Sequence, residues 1–398
     1  MSPGASSDQR RTHDVLIVGA GPAGLALALS LAGLGLAVAV IEREEEERIA
    51  VPADDGREIA LTHGSLRILD ALGVVEGWSE AEMSPIRSAQ VYNGRSARFL
   101  EFRADRSGSA ALGYLVSNHC IRRELYRRLR EHGGVELRCG RRIVACRAGA
   151  GLAVVATGDG EALAAPLLVA ADSRFSETRR AMGIPAEMHD FGRSMLVFRA
   201  RHSRPHAGTA MEWFDFGRTI ATLPLHGDCS SIILTVAGEE AARLAAMPHD
   251  RFGASVNRWL ERRLGRLEVC SAPHRYPLVA TYAERFAAPR FALVGDAAVG
   301  MHPVTAHGFN FGLSGLRLLA DAVAAAVRDG RDIGSDRVLG HYQRAHRRRT
   351  WPLYQATNAI ARLYTAENGP ARMLRRLMLG AAEHIAPIRK TIVRELRS

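Results

Sequence analysis

Cysteine is scarce and poorly placed for chemistry. The 398-residue chain has five (Cys120, Cys139, Cys146, Cys229 and Cys270), none in a CxxC pair and none at metal-ligand spacing. That excludes a disulfide scaffold, a dithiol redox centre and a structural zinc, and it fits reduced thiols in a cytoplasm. No uncharged apolar run reaches about 18 residues, so no membrane-spanning helix is expected. The opening MSPGASSDQRRTHD has no apolar core, so residues 1–13 read as a flexible tail and not as a signal peptide. Aromatic residues are 6% and no nucleic-acid-binding motif occurs, which argues against a nucleic-acid partner.

What is present fits a globular body. Hydrophobic residues at 47% and charged residues at 24% suffice for a sizeable core, and the length suggests two domains. The formal charge of +11 is concentrated at one end. From His341 onward twelve Lys and Arg face three Glu, so nine of the eleven excess charges lie in the last 58 residues, led by Arg347 to Arg349. One reading is a solvated helical face. The other is a basic region drawn to an anionic membrane surface or an acidic partner, each basic group contributing ~1 kcal/mol there. On that second reading the protein is cytoplasmic and peripheral at the inner face of a membrane.

Residues 14 to 42, DVLIVGAGPAGLALALSLAGLGLAVAVIE, read as strand, glycine turn, apolar helix and second strand, a βαβ unit. The acidic run after Glu42 reads as an exposed turn. Helices are predicted over 56–74 and in RRELYRRLREHG, and a meander over 141–171 ends in the apolar strand LLVAAD. Beyond Arg180, alternating stretches such as GTAMEWFDF and SSIILTVA predict an antiparallel sheet, followed by helices near 239–246 and 250–264. From about 308 the chain is helical, with breaks at Gly330, Gly369-Pro370 and Pro387. The fold class is therefore α/β. A Rossmann-like dinucleotide-binding domain (14–80, 112–182 and 287–330) is interleaved with a smaller antiparallel-sheet substrate domain (81–111 and 183–286). A basic helical C-terminal region (331–398) completes the chain.

Gly19-Ala20-Gly21-Pro22-Ala23-Gly24 is a G-x-G-x-x-G directly after a strand and opening a helix. The first glycine permits the turn, the second lets backbone approach a pyrophosphate, and the third lets helix and strand pack closely. Pro22 suits the first helical turn, whose free N–H groups attract phosphate. Glu42, at the end of the second strand, is placed to accept hydrogen bonds from ribose hydroxyls. Gly149-Ala150-Gly151 precedes its strand instead of following one, so it reads as a hairpin turn and not as a second nucleotide site.

Three motifs in this order, GAGPAG, AADSRFSETRR and GDAAVGMHPVTAHGFNFGL, resemble those of the FAD-dependent aromatic hydroxylases. These are the single-component flavoprotein monooxygenases of the 4-hydroxybenzoate hydroxylase fold, and the resemblance spans roughly 14–330. DGREIALTHGSLRILDALG and HPVTAHGFNFGL are most similar to the ubiquinone-biosynthesis hydroxylases, with the 5-demethoxyubiquinol 5-hydroxylase type the nearest subgroup. The resemblance implies tightly bound, non-covalent FAD, with NAD(P)H as a transient co-substrate. Oxygen from O2 would pass through a flavin C4a-hydroperoxide to an electron-rich ring, a prenylated phenol or quinol for that subgroup.

The same resemblance implies site residues. Asp296, held by the turn at Gly295, would bind the ribityl chain, and Pro303 would shape the loop along the isoalloxazine. Gly308, Phe309 and Asn310 would open a helix whose N–H groups face the flavin. Arg122, at the start of its helix, would contact FAD. Arg57 would lie near flavin and nicotinamide, and Asp172 would contact cofactor or NAD(P)H. Ser173 stands where the family usually has glycine, and Ala306-His307-Gly308 where Gly-Gln-Gly is common. No catalytic acid or base emerges, because the flavin carries the chemistry. The W-x-W-x-I-P motif of tryptophan halogenases is absent. Hydroxylation of a phenolic or polyketide secondary metabolite, and a non-catalytic flavoprotein subunit of a biosynthetic complex, stay open as alternatives.

Overall fold

The computed structural model describes residues 11–93, 99–104, 110–215, 217–260, 263–302 and 308–365. Its nucleotide half is a six-stranded sheet ordered Ala287–Ala288, Phe291–Leu293, Leu167–Ala170, Val15–Val18, Val38–Ile41 and Val135–Arg138. All neighbours pair in parallel except the first hairpin. Four of these strands, VLIV, VAVI, LLVA and FAL, are buried throughout, as a parallel sheet covered on both faces requires. The helix Pro22–Ala32 follows the first strand and ends at Gly33. Residues 143–165 form the antiparallel meander Ile143–Ala148, Ala153–Thr157 and Ala162–Ala165, with Gly149 in its first turn.

The second half is a nine-stranded sheet. Its strand Ala186–His202 pairs with Cys229–Ala237 on one side and His274–Ala283 on the other. One face is covered by the helices Gly238–Ala245 and His249–Trp259, whose Leu244, Phe252 and Val256 pack on Leu196, Phe198 and Trp213. The other face looks toward the nucleotide half.

Several predicted boundaries differ. The helix expected over 56–74 begins as a strand, Glu58–Leu61, and becomes helical only at His63–Ala71. Pairing with Gly113–Ser117 claims the first segment. The Thr62 side chain, accepting the Ser65 N–H, starts the helix. Because Met83–Ile86 pairs with the same Gly113–Ser117 strand, a small sheet straddles the predicted junctions near 80 and 112. Val299–Gly300 likewise pairs with the substrate-side strand His274–Ala283. The acidic run after Glu42 closes as a short helix, Glu46–Ala50, and not only as a turn.

The C-terminal helix Asp336–Thr365 is part of the nucleotide-half core and not a separate region, since Tyr342 and Tyr354 are fully buried in it. Arg347 donates to the carbonyls of Ala283 (3.1 Å) and Glu284 (2.5 Å), and Arg349 to Ser314 Oγ (3.1 Å). Two of the three consecutive arginines thus clamp the helix to the body, which neither reading of the basic run anticipated. The breaks expected at Gly369-Pro370 and Pro387 lie outside the described residues. The helix Gly308–Arg328 is long and apolar enough to cross a membrane. Here it packs through Leu313, Leu316, Leu319 and Val323 into the core.

Candidate active site

The nucleotide end is built by backbone. Gly19 has φ +105°, and a Cβ there would lie 2.7 Å from the Ala171 carbonyl oxygen. A Cβ on Gly24 would sit 1.9 Å from the Gly19 carbonyl, so both positions are closed to side chains. Gly21 is the opposite case: a Cβ there would meet nothing within 4 Å. Gly21 therefore borders an open cradle at the start of the helix Pro22–Ala32, which has no side-chain cap and carries Pro22 in its first turn. Its free N–H groups, at Ala23 and Gly24, suit a pyrophosphate. Glu42 is pinned beside them. One carboxylate oxygen accepts the Ala20 N–H at 2.7 Å, and the other accepts those of Arg43 (2.8 Å) and Glu44 (3.1 Å).

The late motif returns to this point. Gly295 (φ +60°) packs so closely that an added Cβ would be 3.0 Å from Ala23 Cβ. An added Cβ on Gly312 of the helix Gly308–Arg328 would be 3.5 Å from Gly295 Cα. The central motif grips the turn from the other side. Arg174 donates to Asp296 (3.0 Å) and to the Val279 carbonyl (2.9 Å). The buried Arg179 donates to the carbonyls of Ala297 and Arg174, both at 3.1 Å.

Asp172 lies next to Gly19, but its carboxylate accepts Ser176 Oγ–H (2.5 Å) and the Thr178 N–H (3.0 Å). In the structure it organises the central turn, a role not read from the sequence. Ser173 has φ +85°, the left-handed backbone a glycine would adopt at this point.

Asn310 also spends its side chain on the fold, donating to the Ala60 carbonyl (2.8 Å) and accepting the Thr62 N–H (3.1 Å). It fixes the opening turn of the return helix, with Gly308 and the half-buried Phe309 beside it. Pro303 and Ala306-His307 lie outside the described residues. His302, just before them, is buried edge-to-face against Phe191 at 4.6 Å. Burial, then His189, pushes its pKa down to about 4.

Arg57 donates to Asp55 (2.6 and 3.0 Å) and lies 5.5 Å from the ring centroid of Tyr276. Burial disfavours its charge, but Asp55, Tyr276 and Asp296 outweigh it and hold the pKa above the usual arginine value. The fields of Arg57 and Asp296 therefore meet. Asp54 and the buried Glu58 are held by Arg199 at 2.9 and 2.7 Å.

Arg122 stands in the second turn of the helix Asn118–His132 and not at its start, where strand pairing by Ser117 sets the boundary. Its neighbours Arg123, Arg127, Arg128 and Arg130 all pair with glutamates. Arg122 is half-buried and has no ion pair among the described residues.

One residue escaped sequence reading. Glu212, in the strand Thr209–Asp215, is half-buried with no hydrogen-bond or ion-pair partner among the described residues. Loss of water around it pushes its pKa up to about 8. The available signal was its parity: in TAMEWFD it alternates with Trp213, which faces the helices.

The cradle at Gly21, the pinned Glu42, the gripped Gly295-Asp296 turn and Arg122, without an ion pair among the described residues, together fit a dinucleotide laid from the first helix to the return helix. A family model described as FAD binding domain matches residues 12–357. Ubiquinone hydroxylase UbiM of Neisseria meningitidis is 43% identical over 387 residues, covering 96% of this chain and 84% of that protein. Ubiquinone hydroxylase UbiL of Rhodospirillum rubrum is 33% identical over 383 residues, covering 96% and 88%. The crystal structure of p-nitrophenol 4-monooxygenase PnpA from Pseudomonas putida shares the fold, with a TM-score of 0.77 at 17% identity over 98% of this chain and 99% of that one. With its glycine cradle, its late Gly-Asp turn and these matches across nearly its whole length, the chain belongs to the FAD-binding-domain family and is a flavoprotein monooxygenase.

Proposed function

We propose that this enzyme uses NAD(P)H and O2 to hydroxylate the ring of a prenylated phenol or quinol in ubiquinone biosynthesis. The observation that carries the substrate class is the near full-length similarity to two proteins named ubiquinone hydroxylases, at 43% and 33% identity. FAD, when bound, supplies the activated oxygen; the chain supplies binding, orientation and a water-poor site.

Gly21 and the first turn of Pro22–Ala32 would take the pyrophosphate, and Glu42 would take the ribose hydroxyls through its remaining lone pairs. Asp296, steadied by Arg174, would hold the ribityl chain. The N–H groups at the start of Gly308–Arg328 would face the flavin ring, where a helix N-terminus favours negative charge. Arg122 would add a cation to the cofactor. Arg57, on the Tyr276 ring, would meet the nicotinamide side. Asp172 would act mainly through the turn that it organises.

The large sheet would roof the substrate. The basic C-terminal region would hold this cytoplasmic enzyme at the inner face of a membrane or against a partner protein, near its prenylated substrate. Exposed Arg337, Arg344 and Arg348 are described cations available for that role, whereas Arg347 and Arg349 already serve the fold.

The reading is tested in a host lacking a ubiquinone ring hydroxylase. Expression of this chain restores the hydroxylated quinone and clears the unhydroxylated intermediate. An unchanged quinone profile, with folded FAD-loaded protein present, contradicts it.

A further inference from the structure

Pairing fixes the direction in which Glu212 points. Trp213 stacks on Tyr92 at 5.3 Å and pairs with Ile220, on the sheet face that the two helices cover. Glu212, one residue earlier, projects from the opposite face. Across that face the row reads Leu100, Val91, Glu212, Ala221, Ile233 and Val197: one carboxyl among five apolar side chains. On the same face Ala210 packs with Ala60 and Leu115 of the small sheet, and Tyr276 meets Arg57. Glu212 therefore looks into the space between the large sheet and the nucleotide half.

A carboxyl among apolar groups is unfavourable unless something pairs with it. The described acids near this space are already held: Asp54 and Glu58 by Arg199, Asp55 by Arg57 and Asp296 by Arg174. No arginine, lysine, histidine or second carboxylate among the described residues acts on Glu212, and desolvation alone shifts it. Its partial exposure leaves it open to an incoming molecule. An acceptor without a donor, in a substrate space, calls for a donor on the substrate.

We propose that Glu212 receives the proton of the substrate's ring hydroxyl. This rests on the phenol-hydroxylase reading above. The O–H bond breaks, the proton moves to a carboxylate oxygen, and the electron pair stays on the ring oxygen. The resulting phenolate raises electron density at the ortho and para carbons, which makes them better nucleophiles for hydroxylation. The step consumes no oxidant or reductant. A base titrating near the working pH is well matched to it.

The test compares wild-type, Glu212→Gln and Glu212→Asp holoenzymes on 2-prenylphenol, following NADPH-dependent product formation against pH. The active base is the ionised form, so wild-type kcat/KM rises with pH through an ionisation near 8. Glu212→Gln retains full FAD content, loses that ionisation and falls at least about 100-fold, while Glu212→Asp keeps the ionisation. A Gln variant with the wild-type rate and profile overturns the proposal and leaves the hydroxylase reading intact. So does a slow Gln variant whose pH profile is unchanged, which would mark a structural residue. A wild-type holoenzyme that hydroxylates no ring substrate overturns the reading itself, and the proposal with it.

Discussion

Arg174 donates a hydrogen bond to Asp296 at 3.0 Å across 122 residues of chain. With Arg179 on the Ala297 carbonyl, it makes the central motif a bracket for the late one. Replacing Arg174 by Ala should loosen the turn that holds the cofactor. FAD affinity is expected to fall about tenfold, in line with about 1–2 kcal/mol for a partly exposed charge-assisted hydrogen bond. Equilibrium titration of apo-protein with FAD measures this; unchanged affinity would mean the bracket is decorative.

Gly21 separates binding from folding. A methyl group at this position meets no protein atom, yet stands where backbone would approach a pyrophosphate. Gly21→Ala should leave the apo-protein's melting temperature unchanged and lower FAD affinity by at least about tenfold. Gly24→Ala should instead impair folding, because its Cβ would overlap the Gly19 carbonyl.

Ser173 keeps a left-handed φ without the residue that adopts it freely. Ser173→Gly should therefore stabilise the protein by about 1 kcal/mol, read as a shift in urea midpoint. No gain would show that the left-handed backbone costs Ser173 no more than it costs a glycine.

His302 gives a pH signature. Its pKa is about 4 when folded, against 6.5 for an ordinary histidine. The unfolded chain binds the proton first, so the stabilising contribution is complete above about pH 6.5 and is lost as pH falls toward 4. The full effect is at most about 3 kcal/mol. His302→Phe keeps a ring against Phe191 and should flatten stability over that window relative to wild type. Parallel curves for the two proteins would refute the assignment.

The nucleotide half was legible because its signals are local. VLIV and VAVI are too apolar for anything but buried strands, and the glycines between them answer to contacts within a few residues. Glu58–Leu61 was misread because GREIALTHGSLRILDALG carries helical spacing throughout, while its strand partner Gly113–Ser117 is more than fifty residues away in sequence. Glu212 was invisible for a related reason. A polar residue in an alternating strand reads as the solvent side, and only the pairing of that strand between Ser88–Asn93 and Arg218–Pro224 turns that side inward. Arg347 and Arg349 looked like free charge because their carbonyl and hydroxyl partners come from distant segments.

Under the proposed function, one oxygen atom from O2 enters the aromatic ring of the substrate at the expense of NAD(P)H. Purified holoenzyme, NADPH, isotopically heavy O2 and a demethoxyquinol test it directly by mass spectrometry. A hydroxylated product carrying one heavy oxygen atom, formed in step with NADPH consumption, is expected. NADPH consumption that yields only peroxide, or a product whose new oxygen comes from water, would contradict it.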